Sequence, residues 1–138
     1  MRRGYYKPIN RVGKYMWFDA VAAGMAFFEN NTVQMEKQAV ASTKSARLRE
    51  YSSQLIMSDK MIAHIRLATK GYMEYENCHP FIRKDAMGRT WTLAHNGTIF
   101  EGEMMDSYFY VQGGQTDSER ILYLFVDRIN DRYEKNPC

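Results

Sequence analysis

Trp91-Thr-Leu-Ala-His-Asn-Gly-Thr-Ile99 decides how this chain is read. Thr90, Trp91, Thr92 and Leu93 favour extended backbone, and Thr98, Ile99 and Phe100 resume it beyond Asn96-Gly97. Both residues of an Asn-Gly pair tolerate positive φ, so the pattern predicts a hairpin over 90–100. Working outward, the largely apolar run 61–68 predicts a short strand. A loop with Gly71, Asn77 and Pro80 follows it, and then a turn over 85–89. On the other side, 101–115 holds Gly102, Gly113 and Gly114 and reads as a loop. Thr116-Asp-Ser-Glu119 has the form of a capping box, the Thr hydroxyl accepting from the third helical N–H and the Glu reaching back. Ile121, Leu122, Phe125, Val126 and Ile129 then recur at helical spacing, which predicts a helix to about Asp131 with those residues on its core face.

Upstream, the apolar run 21–28 predicts a buried strand, Asn30-Asn31 a turn, and the alternating segment 32–37 the return strand. Ala46, Leu48, Tyr51 and Leu55 lie at helical spacing within 42–55, with Ser42 or Thr43 as the expected cap. The order β-β-α-β-β-α with adjacent hairpins argues for an α+β layered domain rather than a doubly wound parallel sheet. A length of 138 residues suits one domain, expected to span 1–138. With 45% apolar and 25% charged residues, the composition is that of an ordinary globular chain. A net charge of +3 is too mild to argue for nucleic acid. Arg2, Arg3, Lys7, Arg11 and Lys14 precede the first acid, Asp19, and read as a solvated N-terminal segment. Cys78 and Cys138 make no disulfide framework. Without a secretory signal or a twenty-residue apolar span, a reducing cytoplasm is the expected setting and a membrane is not.

Several residues stand out chemically. Arg66 interrupts an apolar strand, where a guanidinium needs an anionic partner: an internal carboxylate, or the carboxylate of a ligand held bidentately. Asn96-Gly97 can be a turn, and the same geometry offers an amide and a backbone N–H as convergent donors, as an oxyanion hole requires. Asp117 suits a helix N-terminus through the dipole, and it equally suits a ligand ammonium. His64, His79 and His95 lack metal-ligand spacing, so no metal is expected, and nothing points to a cofactor. Cys78 beside His79 raises a Cys/His pair, which the opposed directions of adjacent side chains disfavour.

His64-Ile-Arg-Leu-Ala-Thr-Lys-Gly71, Asn77-Cys-His-Pro-Phe81, Trp91-Thr-Leu-Ala-His-Asn-Gly-Thr-Ile99 and Thr116-Asp-Ser-Glu119, in this order, resemble the class II glutamine amidotransferases. The likeness runs from about Phe27 to Ile129, within a family-like core of 21–130 preceded by a divergent segment 1–20. It implies the four-layer αββα sandwich of the N-terminal-nucleophile hydrolases, of which this chain is expected to supply the N-terminal half. It also implies L-glutamine as ligand, hydrolysed to glutamate and ammonia for transfer, with a synthase domain or a second copy of the chain as partner. By the same resemblance Arg66 clamps the α-carboxylate, Asp117 holds the α-ammonium, and Asn96 with the Gly97 N–H forms the oxyanion hole.

One departure matters. The family's nucleophile is a cysteine directly after the initiator Met, and here position 2 is Arg2, with no Cys, Ser or Thr in 1–20. The expectation is a chain that keeps a glutamine pocket without hydrolysing glutamine. Two alternatives stand beside it: a glutaminase that uses Cys78, or a non-catalytic scaffold piece.

Overall fold

The computed structural model describes residues 22–30, 32–54, 58, 60–66, 73–99 and 102–135. The basic segment 1–20, position 2 within it, Gly71, Phe100 and Cys138 lie outside these residues. Strand β1 (Ala22–Glu29) is central in an antiparallel sheet ordered β2-β1-β3, with β2 at Thr32–Gln38 and β3 at Lys60–Arg66. The predicted tight turn is present at Asn30, whose φ is 48°. As the middle strand, β1 is paired along both edges, and Ala22, Ala23, Gly24 and Ala26 are all buried. Small residues there let neighbouring segments lie close to the sheet.

Helix α1 (Ala46–Ser53) begins later than the sequence suggested. Its cap is Ser45, whose hydroxyl accepts from Leu48 N at 2.9 Å and donates to Gln38 Oε1 at 2.6 Å. Neither Ser42 nor Thr43 caps, because 41–44 is already a turn closed by Lys44 N on Ala41 O.

The second hairpin also differs from expectation. β4 (Phe81–Lys84) pairs with β5 (Thr90–Leu93) across the 85–89 turn, so the hairpin lies one turn upstream of Asn96-Gly97. Asp85 decides this. Its Oδ1 accepts from Met87 N and Arg89 N, at 3.0 and 2.9 Å, and Oδ2 from Arg89 Nε and Trp91 Nε1, at 2.6 and 2.9 Å. Gly88, at φ 77°, completes the turn. Asn96-Gly97 is instead drawn away from pairing by contacts to the last helix.

The presumed loop 101–115 holds a short helix α2 (Glu103–Asp106) and a 3-10 turn at Ser107–Tyr110. Helix α3 (Asp117–Lys135) is longer than predicted, since nothing breaks the helical pattern before Pro137. Thr116 Oγ1 accepts from Glu119 N at 3.3 Å, as a capping box requires. Glu119 does not reach back, however: its carboxylate accepts from Gly113 N and Gly114 N, both at 2.9 Å. The core of this half joins Phe81, Leu122 and Val126, with Leu93 packed alongside. Ile121 is buried as expected, but Phe125 is 55% exposed, because the Leu122–Val126 stripe faces the hairpin and Phe125 projects from its flank. Arg83 fastens the hairpin to α3, pairing with Asp127 at 2.8 Å and donating to Tyr123 O at 2.9 Å.

Candidate active site

Register places the site. Gly24 stands opposite both Lys37 and His64, and Ala22 opposite Arg66, so Lys37, His64 and Arg66 share one face of the first sheet. The segment 75–81 lies across that face. The Lys37 ammonium sits 4.5 Å from the Tyr75 ring centre and 5.4 Å from that of Phe81. Burial lowers the pKa of this lysine, opposed by Cys78, Glu119 and Glu76. His79 passes over Gly24, where an added Cβ would lie 2.1 Å from the His79 carbonyl oxygen. The His79 ring meets His64, with centroids 4.2 Å apart and His79 Nδ1 3.1 Å from His64 Nε2.

From His64 the contacts lead to the Asn-Gly turn. His64 Nε2 lies 3.2 Å from the His95 carbonyl, which can only accept, so His64 carries its proton on Nε2. His79 Nδ1 therefore presents a lone pair, and its proton sits on Nε2, which is buried without a partner among the described residues. Burial holds His79 neutral, its pKa lowered to about 3, with His64, Arg66 and His95 adding repulsion and Asp117 opposing. His64 is also lowered by burial, against its contacts with the Asn96 side chain and the His95 carbonyl. The His95 side chain is tied in turn, Nδ1 lying 3.2 Å from Ser118 Oγ. Beyond the turn, Ile99 N donates to Asp117 Oδ2 at 2.5 Å. Asn96-Gly97 is thus anchored on both sides, and Gly97 adopts φ 151° with His95 Nε2 2.9 Å from where a Cβ would stand.

These segments enclose a cavity of about 180 Å³. Arg66 at the end of β3, Asn96 and Gly97 on the anchored turn, and Asp117 in the first turn of α3 all line it. Arg66 is buried, whereas Asn96 and Gly97 are exposed at the mouth. Asp117 Oδ1 accepts from Ser118 N at 2.8 Å, so its carboxylate is oriented before any ligand arrives. A guanidinium, a carboxylate and two amide-type donors around so small a space match a zwitterionic amino acid. The loop before α3 is fixed by Asn77, fully buried, whose Oδ1 accepts from Gln115 N at 2.7 Å. Cys78 is fully buried and does not line the cavity. Its thiol donates to Glu74 O at 3.2 Å, and burial raises its pKa against the pull of Lys37 and Arg66.

The three histidines, unremarkable by spacing, all line the cavity. Among the described residues no group of three or more His, Cys, Asp and Glu side chains is disposed to hold a metal. Thr116 and Ser118, read in the sequence only as part of the capping block, and Gln115 and Arg120, which the sequence reading did not single out, also line it. Gly24, Asn77 and Glu119 hold the site through backbone contacts that the sequence reading did not foresee, with His79, Gln115 and Gly113–Gly114 respectively. No helix of the described residues is long and apolar enough to cross a membrane.

Comparison with known proteins agrees with this geometry. Residues 11–138 match the family model described as "Glutamine amidotransferases class-II". A Haemophilus influenzae protein named "Putative glutamine amidotransferase" is 35% identical over 114 residues, covering 83% of this chain and 38% of its own length. The like-named YafJ of Escherichia coli is 32% identical, covering 83% of this chain and 44% of its own. The chain thus spans less than half the length of these relatives. A 2.0 Å crystal structure of a predicted glutamine amidotransferase from Pseudomonas aeruginosa superposes with a TM-score of 0.60 at 32% identity. That match covers 82% of this chain and 44% of the other, and the mixed α+β architecture is common to both.

Proposed function

The chain belongs to the class II glutamine amidotransferases, and from that premise we propose that its cavity is a glutamine pocket. The observation that carries this is convergence: Arg66, Asn96, Gly97 and Asp117 come from three separate segments and line one cavity. The Arg66 fork takes the α-carboxylate, and the Asp117 carboxylate accepts from the α-ammonium. The Asn96 amide and the Gly97 N–H donate to the oxygen of the γ-carboxamide, and to the oxyanion it becomes when a thiolate adds to its carbon. No described residue lining the cavity supplies that thiolate, so this chain is read as holding glutamine without hydrolysing it. Ammonia transfer to a synthase domain or a second chain would need a thiol, and a proton for the leaving nitrogen, from outside the described residues. On this reading 21–130 is the family-like core of a single domain, and its setting is a reducing cytoplasm.

The thiol itself is not Cys78. It is the one cysteine among the described residues, and it points to Glu74 O from a buried position off the cavity. The described lining therefore supplies binding and oxyanion donors without a nucleophilic sulfur. Calorimetric titration of the chain with L-glutamine, run beside an assay for released glutamate, tests this. Saturable binding is expected, weakened about tenfold or more by Asp117→Asn, with no glutamate release that depends on Cys78. Turnover abolished by Cys78→Ser would make Cys78 the nucleophile. Absence of binding would leave a scaffold piece with a vestigial cavity.

A further inference from the structure

Arg120 has no part in the glutamine pocket just described. It lies one helical turn beyond Asp117 on α3, so the two project from the same side of the helix, and both line the cavity. The residue is only 5% exposed, and its Nε is buried with no hydrogen-bond partner among the described residues. Nη1 donates to Gln112 Oε1 at 3.2 Å, and the guanidinium lies 4.0 Å over the Phe109 ring. Both neighbours are neutral. The adjacent Glu119 carboxylate is committed to Gly113 N, Gly114 N and the Tyr123 hydroxyl, and the ion pairs of the described residues do not include Arg120. A buried cation in a neutral cradle is costly until it meets an anion. The Phe109 ring beside the guanidinium supports the fork without neutralising its charge.

Around the cavity the charged residues other than histidine are Arg66, Arg120 and Asp117. Glutamine brings one carboxylate and one ammonium, which leaves Arg120 without a counter-charge among the described residues. We propose that Arg120 forms a second anion subsite, for a carboxylate carried at the side-chain end of a bound glutamyl ligand. This rests on the assignment of the ligand's α-groups to Arg66 and Asp117. Two ligands share that chemistry: L-glutamate, through its own γ-carboxylate, and a γ-glutamyl amide whose amine part ends in a carboxylate. If glutamate is the occupant, it is held more tightly than glutamine.

The test is titration of the full 138-residue chain with L-glutamine, L-glutamate, γ-glutamylglycine and neutral γ-glutamylmethylamide. The readout is the ratio of Kd values, neutral to acidic. An acidic ligand is expected to bind about tenfold or more tightly than its neutral counterpart, the range of one charge-assisted contact. Preference for glutamate over glutamine would put the carboxylate at the end of the glutamyl side chain. Preference shown only by γ-glutamylglycine over the methylamide would put it one residue farther out. Arg120→Gln should bring the ratio near one, and Arg120→Lys, which keeps the charge, should retain a preference. Equal affinities in the wild-type chain, or a ratio that survives Arg120→Gln, would overturn the subsite. Should Arg120→Gln melt below the assay temperature, the wild-type ratio and Arg120→Lys decide. Asp117→Asn separates the two layers: it should weaken all four ligands together. No effect there, or no wild-type binding of any ligand, would remove the glutamyl pocket and the subsite with it.

Discussion

Gly24 shows how one missing methyl group positions a site. A Cβ there would lie 2.1 Å from the His79 carbonyl oxygen and 3.1 Å from that of Glu36, and both contacts are backbone that cannot swing aside. The glycine lets the 75–81 segment lie directly on the central strand and brings His79 against His64, which stands opposite Gly24 in the register. Gly24→Ala should therefore cost about 1–3 kcal/mol, the range of an overpacked core, read as a lower urea midpoint with an unchanged slope. An unchanged midpoint would mean that the segment does not rest on β1. In the sequence, Gly24 marks only a strand glycine, a sign of close backbone approach. What approaches it lies 55 positions downstream, and no local pattern reports that. Arg66 is the opposite case: a guanidinium in an apolar strand is conspicuous in the sequence, and it stands at the cavity wall.

At the scale of elements, the β4–β5 hairpin shows which of two turn signals wins. Asn96-Gly97 looks the stronger, yet the chain reverses at 85–89 because the Asp85 carboxylate satisfies two turn N–H groups, the Arg89 guanidinium and the Trp91 indole. Propensity registered the turn residues at both places; it could not register that Asp117 on a later helix would take the Ile99 N–H and hold the second turn open as a site. Helices and strands with long periodic faces, such as α3 and β1–β2, were legible for the converse reason: their burial pattern repeats along their own sequence. The short α2 and the 3-10 turn after it repeat too little to be seen. The Asp85 carboxyl is pushed down to about 2: burial alone would raise it, but hydrogen bonds from Trp91 and Arg89 outweigh that. A carboxyl with a lowered folded pKa stabilises above its unfolded value of 3.8, and the contribution fades as pH falls toward about 2. Asp85→Asn, whose amide nitrogen cannot accept from Arg89 or Trp91, should lower the urea midpoint at pH 7 by more than it does near pH 2. A deficit that stays constant across that range would mean the carboxylate's charge does not hold the hairpin.

For the whole molecule, the cavity is the seam between two packed halves. The face of the β2-β1-β3 sheet contributes His64 and Arg66, and α3 with the hairpin beneath it contributes Asp117, Ser118 and Arg120. The seam is bridged by the contacts His79–His64 and His64–His95, and Asn77 ties the segment before β4 to Gln115 ahead of α3. Because His79 and His64 are buried beside Arg66, protonating either puts like charges together in a closed space. The sign of the effect follows. His79 is held neutral, with its folded pKa near 3 against 6.5 when unfolded, so the unfolded chain binds the extra proton between those values. Its contribution is fully present above about pH 6.5 and is lost as pH falls toward about 3, and His64, lowered in the same direction, adds to the loss. The chain should therefore lose thermal stability steadily from pH 7 to pH 4, before most of its carboxylates titrate. His79→Gln, which keeps a polar group in the seam but cannot be protonated, should flatten that decline. Thermal melts of the two chains at several pH values between 4 and 7.5 measure it. Parallel profiles would show that the imidazoles are not what makes the seam acid-sensitive.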